Sequence, residues 1–157
     1  MIKEILTNTG PKILKDLRNS DINFIKDCSN FSFHSFGNLN KDKIFYIIRR
    51  YPSAGFFSNI TFILNHLKIC EKMKFIPIID MENYPTLYNE KNKIKKTNNS
   101  WEYYFKNLNK YNLNKVYKSK NVFLSNLKFE QNMHLDMTNI EISEYLKKIK
   151  IKESIIS

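Results

Sequence analysis

Side chains suited to ligand binding are concentrated in residues 49–59, directly after an apolar run. Arg50 supplies positive charge, Gly55 lets a ligand approach the backbone, and Asn59 can form hydrogen bonds from the first turn of a helix. Because no GxGxxG or Walker A pattern accompanies them, a tight turn with solvated arginines is the open alternative. Arg50, Gly55 and Asn59 are candidate substrate-binding residues.

A second candidate segment begins with the acidic residues Asp80 and Glu82, at the end of another apolar run. Some nucleotide-sugar enzymes hold a divalent metal with such carboxylates, because hard cations need several oxygen ligands. An aspartate at this position is also typical of a residue that caps a loop. We expect no metal here and take both residues as candidates for substrate binding.

The densest aromatic segment is residues 101–105, which includes Trp101, the only tryptophan. Aromatic rings stack on the C–H faces of sugars, and the carboxylate of Glu102 can accept hydrogen bonds from hydroxyl groups. Core packing explains the aromatic residues equally well, since Trp101 and Phe105 are four apart and can form one buried stripe. Trp101 and Glu102 are therefore candidate sugar-binding residues with a structural alternative.

A histidine and a cysteine, His66 and Cys70, lie four residues apart and would share one face of a helix. Such a pair can join a thiol to a base or begin a metal site. A buried cysteine beside a histidine of the core is the more common arrangement, and we favour it here.

Apolar periodicity predicts the elements that would position these residues. Residues 44–48 are typical of a strand buried on both faces, and residues 56–73 have the spacing of an amphipathic helix. Residues 75–80 and 121–125 predict two more strands. Strand, helix and strand form a βαβ unit, and ligands of such sheets bind beyond the carboxyl ends of the strands.

Shorter elements complete the prediction. Ser100 is positioned to cap a short helix, residues 112–117 suit another, and Thr138 with Glu141 forms a capping box for a final helix. Residues 81–99 are predicted to be a long surface loop. The chain thus reads as a three-layer α/β domain with a small parallel sheet at residues 43–157, after a helical or irregular lead-in at residues 1–42.

Length and composition set the class of protein. The 157 residues suit one domain, and 42% of them are hydrophobic, enough for a core. No apolar run approaches the roughly 20 residues of a membrane-spanning helix, and the N-terminus lacks the apolar region of a secretory signal. We expect a cytoplasmic protein, with peripheral contact at the inner face of the membrane as the alternative.

A formal charge of +11 raises the question of nucleic-acid binding. Only Arg18, Arg49 and Arg50 are arginines among the 26 basic residues, whereas base readout favours arginine. We therefore do not expect a nucleic-acid ligand. The alternative function is a Lys-rich, non-enzymatic module that binds nucleic acid or an anionic membrane surface through the lysines of residues 91–96.

Three spaced segments resemble the N-terminal half of bacterial and protist fucosyltransferase-like glycosyltransferases of the GT-B type. In that group a strand leads through a Gly-containing turn to a helix with an Asn, which Gly55 and Asn59 match, and a second strand ends in Asp, which Asp80 matches. A Trp-Glu-Tyr-Tyr-Phe segment follows. The matching segments are residues 47–59, 76–83 and 100–105.

The resemblance implies one of two Rossmann-like halves around a cleft, the half that faces a glycan acceptor. A nucleotide-sugar, GDP-fucose in that family, would bind a C-terminal donor lobe encoded separately, without a metal or other cofactor. We expect this chain to be inactive without that lobe, and a decayed gene fragment is a third possibility. Lys106 departs from the family pattern, in which an acidic residue is usual.

Overall fold

The computed structural model describes residues 32–50, 55–125 and 149. Within these residues the chain forms four strands and three helices. The strands are β1 (Ser32–His34), β2 (Phe45–Ile48), β3 (Ile76–Ile79) and β4 (Val122–Leu124). The helices are α1 (Phe56–Met73), α2 (Trp101–Tyr104) and α3 (Leu113–Val116).

The four strands form one open sheet in the order β1-β4-β2-β3. β2 is parallel to both β3 and β4, as the βαβ prediction requires, but β1 runs antiparallel to β4. The prediction of a parallel sheet is therefore wrong at this edge, and the sheet is mixed. β1 has only three residues and no clear apolar alternation, so apolar periodicity does not predict it.

Residues 36–42, which the sequence assigns to the lead-in, and Lys43 after them are hydrogen-bonded to the segment before β4. The backbone N–H groups of Phe36 and Gly37 donate to the carbonyl of Ser119, at 3.0 and 3.2 Å. The side chain of Asn121 donates to the carbonyls of Lys41 and Lys43. Residues 32–43 thus belong to the same folded unit as the sheet.

The side chains of β2 alternate between two cores, one on each face of the sheet. Tyr46 and Ile48 lie in the core that α1 covers, together with Phe123 of β4. Phe45 and Ile47 lie on the opposite face, against α3 and the residues near it. Each fully buried large apolar side chain contributes about 1.5–3 kcal/mol to folding, so both faces stabilise the position of β2.

The long helix α1 has the predicted bounds, Phe56–Met73. Its N-cap is Gly55, with no side-chain capping hydrogen bond, and it ends at Lys74, which adopts the left-handed conformation at φ 58°. Ile63, Leu67 and other residues of the predicted stripe are buried against the sheet. No helix in the described ranges is long and apolar enough to cross a membrane.

The outer edge of β3 contains Pro77, the second residue of the strand. Proline is tolerated there because β3 is an edge strand and needs no outward N–H donor. The carbonyl of Pro77 accepts a hydrogen bond from the side chain of Asn109, and the carbonyl of Ile79 accepts one from Asn99.

The two short helices begin in different ways. Ser100 is the N-cap of α2, as predicted, but its side chain makes no capping hydrogen bond. Asn112 caps α3 by accepting from the N–H of Lys115 at 2.9 Å. The predicted final helix lies outside the described residues, apart from Ile149, which packs against the core beneath α1.

Gly37 and Gly55 differ in how closely other atoms of the chain approach them, and they form a matched pair for mutation. A Cβ on Gly37 would lie 2.3 Å from the carbonyl oxygen of Lys118, whereas a Cβ on Gly55 would meet nothing closer than the Tyr88 hydroxyl at 3.9 Å. We expect Gly37→Ala to lower the free energy of unfolding by about 1–3 kcal/mol through overpacking. Gly55→Ala should change it by less than about 0.5 kcal/mol. Urea denaturation measures both, and equal effects would contradict the close approach at Gly37.

Candidate functional site

The carboxyl ends of the three parallel strands meet at one edge of the sheet. Arg49, Asp80 and Ser125 each follow the last residue of one of these strands. Open parallel sheets bind ligands at this edge, because the loops converge there and helix N-termini point toward it. The three residues therefore mark the first place to search for a site.

Two adjoining cavities open at this edge, and together we call them the carboxyl-edge cleft. Both are small, about 20 Å³ and about 10 Å³, and both open to solvent. Both are lined by Asn59, Ile63, Met81 and Thr86. The first cavity is further lined by Phe56, Ile60, Tyr88, Ser100, Trp101, Tyr104 and Phe105. The second is further lined by Ile48, Arg49, Arg50, Phe62 and Tyr84.

Arg49 holds the strand ends together. Its backbone N–H donates to the Ser125 hydroxyl at 2.8 Å, and that hydroxyl donates to the Arg49 carbonyl at 2.9 Å. Its guanidinium donates to the Ser125 carbonyl at 2.8 Å and to the Tyr84 hydroxyl at 2.7 Å. All of these acceptors are neutral, so none of them is a counterion for Arg49, which lines the second cavity.

Arg50 lies beside the first turn of α1. Its Nη1 donates to Ser58 Oγ at 3.0 Å and to Asn59 Oδ1 at 3.3 Å, and its guanidinium lies 4.9 Å from the centre of the Phe62 ring. Its Nε is buried and has no hydrogen-bond partner within the described residues. Burial lowers the pKa of Arg50, because water no longer solvates the cation fully.

Asp80 is fully buried, and its carboxylate organises the turn that follows β3. Oδ1 accepts from the N–H groups of Glu82 and Asn83, at 3.1 and 2.9 Å. Oδ2 accepts from Asn83 Nδ2 at 3.0 Å and from the Tyr117 hydroxyl at 2.6 Å. Burial first, and then the hydrogen bond and charge of Asp80, raise the pKa of Tyr117. The carboxylate thus fills the loop-capping role that the sequence left open.

Four aromatic side chains surround the N-terminus of α1, and we call them the aromatic rim: Phe56, Phe57, Tyr88 and Tyr104. Phe56 is central, with ring centroids 5.6, 5.9 and 5.3 Å from those of the other three, in that order. Phe57 is 80% exposed, Tyr88 41% and Tyr104 36%. An exposed aromatic cluster at the mouth of a cleft offers stacking faces that a folded core does not need.

Trp101, in contrast, is part of the core. It is only 3% exposed, and its ring stacks on that of Phe105 with centroids 4.1 Å apart. Trp101 still lines the first cavity of the carboxyl-edge cleft, and its Nε1 has no hydrogen-bond partner among the described residues. The structure therefore supports the core reading for Trp101 and gives the exposed faces to the aromatic rim.

The two glutamates among the candidates lie outside the cleft. Glu82 is exposed on the turn after β3. The carboxylate of Glu102 accepts from the Thr97 hydroxyl at 2.5 Å, and the residue lines a separate cavity near Pro77.

Gly55 lies at the start of α1, beside Tyr88. Of the predicted residues, the structure brings together Arg50, Asn59 and Trp101, with Gly55 adjacent. Among the described residues there is no group of three or more His, Cys, Asp or Glu side chains that could hold a metal ion.

The loop between β3 and α2 carries part of the cleft, and amide side chains order it. Asn89 Nδ2 donates to the carbonyls of Met81 and Asn98, at 2.6 and 3.1 Å. Asn99 Oδ1 accepts from the N–H of Met81 at 3.2 Å. These bonds place Tyr84, Thr86 and Tyr88 on the cleft. Sequence reasoning missed all three, although two tyrosines in an otherwise polar loop were a usable signal.

His66 is a buried residue of α1. Its Nδ1 is 2.8 Å from the Tyr46 hydroxyl, and its ring centroid is 4.2 Å from that of Phe62. Burial, and to a lesser extent the charge of Arg50, lowers the pKa of His66 to about 3. These contacts are those of a core histidine, which is the reading that the sequence favours.

No protein-family model, curated protein or solved structure matches the chain. The resemblance to fucosyltransferase-like glycosyltransferases stays a prediction from three sequence segments.

The burial of His66 predicts a pH-dependent stability. Between pH 6.5 and about 3 the unfolded chain binds a proton that the folded chain excludes. The free energy of unfolding should therefore fall as the pH falls through this window, by up to about 1.4 kcal/mol per pH unit. The His66→Phe variant should lose that part of the slope in urea titrations at several pH values. An unchanged slope would show that His66 is protonated in the fold.

The turn organised by Asp80 predicts a second difference in stability. Asp80→Asn should lower the free energy of unfolding by about 1–3 kcal/mol. Each carboxylate oxygen accepts two hydrogen bonds, and the amide nitrogen that replaces one of these oxygens cannot accept any. Glu82→Gln removes the same charge from an exposed site and should cost less than about 0.5 kcal/mol. Thermal and urea unfolding compare the two, and a neutral Asp80→Asn would remove the capping role.

Proposed function

We propose that the carboxyl-edge cleft binds a carbohydrate, and that the chain is the acceptor-side part of a fucosyltransferase-like glycosyltransferase. The observation that carries the proposal is the exposed aromatic rim beside Arg50 and Asn59. Aromatic faces stack on the C–H surface of a sugar ring, and amide and guanidinium groups bond its oxygens. Binding sites for small molecules commonly combine such an apolar wall with a few polar groups.

The chemistry of transfer enters this proposal through the resemblance. A nucleotide-sugar, GDP-fucose in the family that the chain resembles, would be held by a donor lobe, and the glycan held here would attack it. Within the described residues the cleft contains no carboxylate that could act as a general base, because Asp80 is committed to its turn. We assign no catalytic residue, and the contribution of this chain is to bind and orient the acceptor.

A second candidate function is binding of a polyanion by the lysines of residues 91–96. The four lysines are exposed, and Lys95 and Lys96 both have positive φ, at 48° and 69°, in the tight turn between Ile94 and Thr97. The turn holds their charges close together on the surface. Binding of this kind weakens steeply with salt, whereas stacking and neutral hydrogen bonds respond little.

Carbohydrate binding can be tested through the single tryptophan. Because Trp101 lines the cleft, titration with glucose, galactose and lactose should change its fluorescence and should saturate. Tyr88→Ala and Tyr104→Ala should each weaken binding about threefold to tenfold, since a stacked ring contributes about 0.5–1.5 kcal/mol. The affinity should change little between low and high salt.

Two variants control for nonspecific effects. Phe36 is 40% exposed, much like Tyr88, but does not line the cleft, so Phe36→Ala should leave sugar binding unchanged. Glu102→Gln should also leave it unchanged, because Glu102 lines another cavity. No saturable response to any sugar, together with salt-sensitive binding of RNA or anionic vesicles, would replace the proposal with the polyanion function.

A further inference from the structure

Arg49 and Arg50 are the only charged residues among the described residues that line the carboxyl-edge cleft. Both belong to the segment that follows β2, and both guanidinium groups are partly buried. A cleft with two cations and no anion has a positive potential, which its low-dielectric walls strengthen. An anionic group on the ligand would therefore meet a favourable potential in this cleft.

Neither arginine is paired with a carboxylate in the part of the chain that the structure describes. The guanidinium of Arg49 donates to a carbonyl and a phenol, and that of Arg50 donates to a hydroxyl and an amide. The buried Nε of Arg50 has no hydrogen-bond partner among the described residues. Partial burial of a cation costs free energy unless a counterion compensates for the lost water, and an anionic ligand would supply that compensation.

The two carboxylates that follow β3, Asp80 and Glu82, do not line the cleft. Both oxygens of Asp80 accept hydrogen bonds inside its turn and from Tyr117, and Glu82 is exposed. The 18-residue helix α1 adds the partial positive charge of its N-terminus, and its first turn contains no acidic residue. Charge and helix orientation thus favour the same kind of ligand.

We propose that the carbohydrate bound by the cleft is an acidic sugar, whose carboxylate or phosphate pairs with Arg50 and Arg49 while its ring lies on the aromatic rim. The proposal rests on the carbohydrate-binding function above and names its substrate class. Arg50 is the principal anchor, because within the described residues its Nε has no acceptor and its other hydrogen bonds are to neutral side chains. The anionic group would accept charge-assisted hydrogen bonds, which are stronger than those between neutral groups.

The test compares sugars that differ only in charge. Glucose, glucuronate and glucose 6-phosphate are titrated at one ionic strength, with Trp101 fluorescence and backbone amide shifts as readouts. We expect at least one acidic sugar to bind about tenfold more tightly than glucose. A preference for glucuronate identifies a carboxylate ligand, and a preference for glucose 6-phosphate identifies a phosphate ligand.

Matched variants assign the preference to the cleft. Arg50→Gln should reduce the difference between acidic and neutral sugar to about twofold or less, because the acidic sugar loses more affinity than glucose does, and Arg50→Lys should keep part of the difference. Lys120→Gln removes the same charge from an exposed position outside the cleft and should not change the preference. Urea denaturation confirms that each variant is folded.

Three results would overturn the inference, and they differ in what they leave standing. Equal affinity for glucose and both acidic sugars would refute the acidic ligand and leave carbohydrate binding intact. Inorganic phosphate that binds as tightly as glucose 6-phosphate would show a site for a bare anion, without a sugar subsite. No response to any of the three sugars would refute both the inference and the proposed function.

Discussion

The rest of the structure depends on the burial of β2. All four of its residues are buried, and it is hydrogen-bonded to a strand on each side. Its alternating side chains determine which residues face α1 and which face α3. At the carboxyl end, the same constraint delivers Arg49 and Arg50 to the place where the chain also emerges from β3 and β4. The enclosure of the central strand thus determines where the positive charge of these two arginines lies.

The elements that sequence periodicity predicted well are those whose burial is regular. β2, β3, β4 and the bounds of α1 follow from apolar patterns, because hydrophobic burial determines them locally. β1 was missed because three residues carry no period and because its partner, β4, lies far away in the chain. A parallel sheet was the natural expectation from a βαβ unit, and only a long-range pairing could make the sheet mixed.

The candidate site was predictable in part. Arg50 and Asn59 reach the cleft because they flank the junction between a buried strand and a helix, a position that sequence can identify. The sequence does not predict that Tyr84 and Tyr88 line the cleft, because hydrogen bonds of amide side chains, and not a periodic pattern, order their loop. The exposure of Tyr104 beside the buried Trp101 depends on the orientation of a single turn of helix, which composition does not encode.

The outer edge of β3 is poorly suited to pairing with a strand of a second copy of this chain. Pro77 offers no N–H there, and the carbonyls of Pro77 and Ile79 already accept from Asn109 and Asn99. A strand from another molecule would find one outward donor and no unoccupied acceptor along these residues. Because exposed sheet edges are templates for aggregation, one proline and two asparagines protect this edge without any charged residue. Replacing those asparagines would expose a surface on which chains could assemble edge to edge.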